Sequence, residues 1–95
     1  MRLEISKLRK VTGVLLDHIE DLGYKSVDVK DDYYWDIQAP EQYAVFSDPA
    51  KPTIGQLSDD WVEIEKILAN ERDPSAYALV WLSALLRYVG EQIVA

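Results

Sequence analysis

The stretch that most limits how this chain can fold is AYALVWLSALLRYV, Ala76 to Val89, where apolar residues point in nearly every direction around a helix. Tyr77, Val80, Trp81, Ala84, Leu85 and Tyr88 make one broad face, and Leu79, Leu82, Leu86, Val89 and Ile93 lie beside it. Only Ser83, Arg87, Gly90 and Glu91 mark a narrow polar stripe. A helix of this kind stands centrally among other elements or buries its surplus against another chain. It is shorter than the ~20 residues that span a bilayer and carries Arg87, so a buried helix is expected and no membrane association. Asp73 reads as its N-cap and Pro74 as its first helical residue, which predicts helix three over about 74–93. If its surplus face meets a second copy of the chain, Tyr77, Trp81, Leu85 and Tyr88 are the residues that would form that homodimer contact.

The cover for this helix has to come from two amphipathic segments. Met1, Ile5, Leu8, Leu15, Ile19 and Leu22, with Thr12 in the same series, fall at steps of three and four on one face, and Gly23 follows where a left-handed residue closes a helix. Helix one is therefore expected over about 2–22. Its basic first turns oppose the helix dipole, a small unfavourable contribution. In TIGQ, Thr53 and Gln56 have the spacing of a capping box, and Ile54, Leu57, Trp61, Ile64 and Leu68 repeat at three and four beyond it. Helix two is expected over about 54–69, with Asp59 and Asp60 near its positive end. A start at Ser58 is the alternative.

Between these helices, over about 24–52, the period changes to two. SVDV sets Val27 and Val29 on one side, YYWDI sets Tyr33, Trp35 and Ile37, and YAVFS sets Tyr43 and Val45. Pro40, Pro49 and Pro52 cut the region into short pieces. A structureless segment of that length is unusual in a small domain, so it is expected to pack and can close a short β-hairpin. The fold class that follows is mainly α: a three-helix bundle with a long aromatic and acidic crossover between helices 1 and 2. The 95 residues form a single domain, 1–95, since a second core could not be built from what remains.

Charge narrows the function. Arg2, Lys7, Arg9 and Lys10 stand against Glu4 in the first ten residues, whereas residues 17–73 hold fifteen carboxylates against Lys25, Lys30, Lys51, Lys66 and Arg72, within a total of −7. Nucleic-acid binding needs clustered Lys and Arg, so none is expected, and an acidic field favours encounter with a basic protein surface. Acidity also serves solubility alone. There is no cysteine, hence no disulfide and no thiolate chemistry, which fits a cytoplasmic setting. The basic N-terminal stretch has no long apolar run, so no secretory signal is expected there.

The densest candidate site is DDYYWDI, Asp31 to Ile37. On a half-buried strand Tyr33, Trp35 and Ile37 face inward, leaving Tyr34 outward with Asp31, Asp32 and Asp36 as a partner-binding patch. Tyrosine anchors such contacts and carboxylates pair with Lys or Arg. As a metal site, Asp28, Asp31, Asp32 and Asp36 lack the glycine and terminal glutamate of a calcium loop. His18, the only histidine, cannot complete a zinc set without cysteine. A nucleophilic triad would need His18 as base with a serine brought from elsewhere, and no glycine-rich turn marks one. No cofactor and no enzyme activity are expected.

At TIGQLSDDW (Thr53 to Trp61) and RDPSAYALVWLSALLR (Arg72 to Arg87), following DDYYWDI, the chain resembles small uncharacterised bacterial proteins. The resemblance implies a bacterial, cytoplasmic setting and carries no catalytic motif. In size and charge the chain is also similar to immunity proteins, a class that blocks basic nuclease toxins. The expected function is thus a non-enzymatic acidic binding domain, inhibitor or immunity-like, that engages a basic protein through residues 31–36. A structural homodimer through helix three, or a weak metal-binding or enzymatic protein, are the alternatives.

Overall fold

The computed structural model describes residues 1–36 and 53–93, with the backbone alone for Trp35, Asp36 and Thr53. Its elements are α1 (Ile5–Asp21), β1 (Tyr33–Asp36), β2 (Thr53–Gln56), α2 (Leu57–Leu68) and α3 (Ala78–Gln92). The protein is mainly helical, with three helices among the described residues and a two-stranded antiparallel sheet. Among the described residues, no helix is long and apolar enough to cross a membrane.

α1 starts a turn later than its apolar stripe suggests, at Ile5 after an extended Glu4 whose side chain makes no capping bond. Its other end follows the sequence expectation. Gly23 takes a φ of 100°, its N–H donates to the Glu20 carbonyl, and the Tyr24 N–H donates to that of Ile19. These two bonds satisfy carbonyls that the last helical turn leaves unpaired, and a residue with a Cβ would be strained there. α2 ends by the same motif with Asn70 at a φ of 59°, donating to the Ile67 carbonyl while Glu71 donates to that of Lys66. Asparagine tolerates this left-handed conformation better than most residues with a Cβ.

A larger departure from expectation is at TIGQ. Thr53–Gln56 is a strand, paired in the register Tyr33 with Gln56, Tyr34 with Gly55, Trp35 with Ile54 and Asp36 with Thr53. The capping box therefore does not form, and the helix begins at Leu57. The cap arrives instead from the far strand end: the Asp32 carboxylate accepts the Ser58 backbone N–H at 2.7 Å and the Ser58 hydroxyl at 2.6 Å. The Asp32 carbonyl accepts the Leu57 N–H at 2.7 Å. A local N-cap was not needed once a distant carboxylate could meet the same orphan donor. The sheet thus pairs YYWD with a segment beyond the expected crossover. SVDV is not a strand, and YAVFS lies outside the described residues.

Helix three also begins late, at Ala78. Asp73 does not cap it, and Pro74 precedes a tight turn in which Ala78, Leu79 and Val80 donate to the carbonyls of Ser75, Ala76 and Tyr77. Three-residue spacing of this sort is common at helix ends and leads directly into the α-helix. α2 and α3 pack on each other. The inward stripe of α2 runs through Leu57, Asp60, Ile64 and Ile67 rather than through Trp61 and Leu68, both exposed. Asp60 can occupy an inward position because the Tyr34 hydroxyl donates to it. On α3 the polar stripe is where the sequence puts it: Ser83, Arg87, Gly90 and Glu91 are exposed. Among the described residues the buried apolar side chains are Leu57 at the start of α2 and Ala78 at the start of α3, and α1 buries none of its residues. The extensive helix packing is that of α2 on α3.

Candidate protein-binding site

β1 lies against the N-terminal end of α2, and two of the expected partner-binding residues make that join. Asp32 accepts hydrogen bonds from Ser58, as above, and from the Gln56 side-chain amide at 2.7 Å. The Ser58 hydroxyl, the Gln56 amide and the Ser58 N–H together hold its carboxyl below the ordinary value of 3.8, against a smaller opposing effect of desolvation. The Tyr34 ring passes over Gly55, its direct partner in the sheet, and carries its hydroxyl to Asp60. Only glycine leaves room for that path, since a Cβ at residue 55 would run into the ring. Covering a strand glycine with a cross-strand aromatic also shields the backbone there.

So Tyr34 and Asp32 are structural fasteners, Asp31 is exposed beside them, and the Asp36 side chain lies outside the described residues. Alternation predicts Tyr33 inward and Tyr34 outward. Instead Tyr33 is exposed and Tyr34 half-buried, because the two-stranded sheet turns the Tyr34 face towards α2. Asp28 and Lys30 sit where the chain approaches β1: the Lys30 N–H donates to the Tyr88 hydroxyl at 2.8 Å, and that hydroxyl reaches the Asp28 carbonyl at 3.4 Å. Tyr88, placed by the sequence on a possible dimer face, therefore ties α3 to the chain before β1. Leu85 and Trp81 are half-buried and Tyr77 is exposed. His18 is exposed on α1. Among the described residues no three of His, Asp and Glu converge as a metal site requires.

Between α2 and α3 lies a shallow, open groove, lined by Asp59, Asp60, Val62, Glu63, Arg72 and Trp81. α2 supplies the carboxylates from its first turns, and α3 supplies the indole. Arg72, in the connection between the helices, lies with its guanidinium 4.8 Å from the Trp81 ring centre and pairs with Glu63. Tyr77 meets the same indole edge-on, with centroids 5.7 Å apart and planes at 86°. Lys66 reaches Glu63 at 3.3 Å. Lys66, then Arg72, lower the Glu63 carboxyl below its ordinary value of 4.5, so it is ionised at neutral pH. An indole face and a carboxylate that together hold a guanidinium are the elements by which proteins recognise arginine.

The sequence marks Asp59, Asp60 and Trp81 without joining them, and it gives no hint of Glu63 or Arg72. Glu63, Arg72 and Trp81 stand at equal nine-residue steps across a turn, a spacing that no helical or strand period picks out. The chain has no match among the models of protein families, the curated proteins or the solved structures.

Proposed function

We propose that this protein is a non-enzymatic binding domain that takes a basic, arginine-bearing segment of another protein into the groove between α2 and α3. The observation that carries this reading is Arg72 itself: a guanidinium already rests on Trp81 and pairs with Glu63, so the groove has the chemistry to hold one. Asp59 and Asp31 stay exposed nearby in sequence to Ser58 and β1 and add to the acidic field that steers a basic partner in. The expected patch at 31–36 is thereby moved by one layer. Its Asp32 and Tyr34 build the floor's support, and the contact surface passes to α2 and Trp81. Size and acidity suit an inhibitor of the immunity type, working in a bacterial cytoplasm on a basic protein, with no nucleic acid and no membrane involved.

Arg72 then acts as an internal competitor, which makes the test directional. A fluorescently labelled arginine-rich peptide is titrated against the protein and its variants at low and at moderate salt. The reading expects saturable, salt-weakened binding that Glu63→Gln or Trp81→Leu weakens and that Arg72→Ala strengthens. Weaker or unchanged binding in Arg72→Ala would overturn it, since the groove would not be the peptide's site.

A further inference from the structure

The three carboxylates that line the groove between α2 and α3 are not equally available to a partner. Both oxygens of Glu63 are taken, Oε1 by Lys66 at 3.3 Å and Oε2 by Arg72. Asp60 is buried and accepts the Tyr34 hydroxyl. Asp59 is exposed, and its side chain makes no ion pair among the described residues. Trp81 is occupied as Glu63 is, with the Arg72 guanidinium 4.8 Å from its ring centre.

This distribution decides what an incoming cation can gain. A single arginine reaches Trp81 and Glu63 only by displacing Arg72, so one guanidinium replaces another in the same contacts and the exchange is close to neutral. Arg72 also has the advantage of attachment, since it sits in the connection between Leu68 and Ala78. A group on a short connection competes at an effective concentration on the order of millimolar. The net gain of a partner therefore has to come from Asp59. Asp59 and Glu63 belong to α2 and stand one turn apart on one side of it, with ~5–6 Å between their Cβ atoms. Alternate residues of an extended segment share a face and are separated by two steps of ~3.3 Å, a closely similar spacing. We propose that the groove selects a paired basic motif, an arginine with a second Arg or Lys two residues away on an extended segment. The arginine takes the place of Arg72 on Trp81 and Glu63, and the second cation meets Asp59. This selectivity rests on the groove being the partner's site, as proposed above, and makes Arg72 a filter against lone arginines.

The test titrates three labelled peptides of equal length, otherwise alanine, serine and glycine, against the full chain at moderate salt. One carries a single arginine, one carries two at alternate positions, and one carries the same two at its opposite ends. The alternate pair should bind wild type roughly fivefold more tightly than either of the others, and Asp59→Asn, an exposed change, should remove that margin. Arg72→Ala should strengthen the single-arginine peptide roughly tenfold, by vacating both the indole face and a Glu63 oxygen. Equal affinity of the two doubly charged peptides for wild type would overturn the proposal, since only the overall charge of −7 would then be at work. A preference for the alternate pair that Asp59→Asn leaves intact would overturn it too. Either result leaves the groove as the binding site so long as Glu63→Gln and Trp81→Leu weaken all three peptides. No binding of any peptide to wild type or to Arg72→Ala would overturn both readings together.

Discussion

Replacing Gly55 by alanine should change sign with the residue at position 34. Alanine is ordinarily better than glycine inside a strand by about 0.5–1 kcal/mol. Here the new Cβ would run into the Tyr34 ring, which is held in place by its hydroxyl's hydrogen bond to the buried Asp60. Moving the ring aside gives up a hydrogen bond to a charged group, about 1.5–3 kcal/mol. The net effect of Gly55→Ala in the wild-type chain is therefore a loss of about 1–2 kcal/mol, or roughly 5–15 °C in Tm for a domain of this size. In a Tyr34→Ala background there is no ring to displace, and the same substitution should stabilise by about 0.5 kcal/mol. The four proteins of this cycle are compared by thermal unfolding followed by circular dichroism, with urea melts as a check. Equal effects of Gly55→Ala in the two backgrounds would refute the reasoning, since they would show that the Tyr34 ring does not constrain residue 55.

Two further outcomes follow from the join between β1 and α2 and from the core. The Asp32 carboxyl is lowered in the folded protein by Ser58 and Gln56, so its contribution to stability is present above the unfolded value near 3.8 and is lost as pH falls through the folded one. The Tm difference between wild type and Asp32→Asn should accordingly be steady from pH 7 to about pH 5 and shrink in stronger acid; a difference as large at pH 2.5 as at pH 7 would rule out a charge-based cap. Leu57, only 2% exposed, should cost about 2–4 kcal/mol when cut to alanine, a large share of what a small domain has, while Leu68→Ala on the exposed side should stay within about 0.5 kcal/mol. Equal urea midpoints for these two variants would mean that Leu57 is not part of the core.

Three helices could be read directly from the residues, because a period of 3.6 is a property of each segment alone. α1 and its Gly23 stop needed no partner to be legible, since a left-handed C-terminal residue satisfies carbonyls only a few positions away. The polar stripe of α3 was legible for the same local reason. What a short stretch cannot contain is which of two local solutions a distant residue will favour. Thr53–Gln56 suits a capping box as well as a strand, and pairing with Tyr33–Asp36 and a carboxylate from Asp32 decided for the strand. The inward position of Asp60 depends on a hydroxyl 26 residues away, and the groove depends on Glu63, Arg72 and Trp81 meeting across a turn. Sequence by itself thus determined the helices, their approximate ends and the acidic character of the middle of the chain, all matters of neighbours along the backbone. Tertiary structure alone decided which carboxylates are fasteners and which stay exposed, because a hydrogen bond between distant residues exists only once the chain has brought them together.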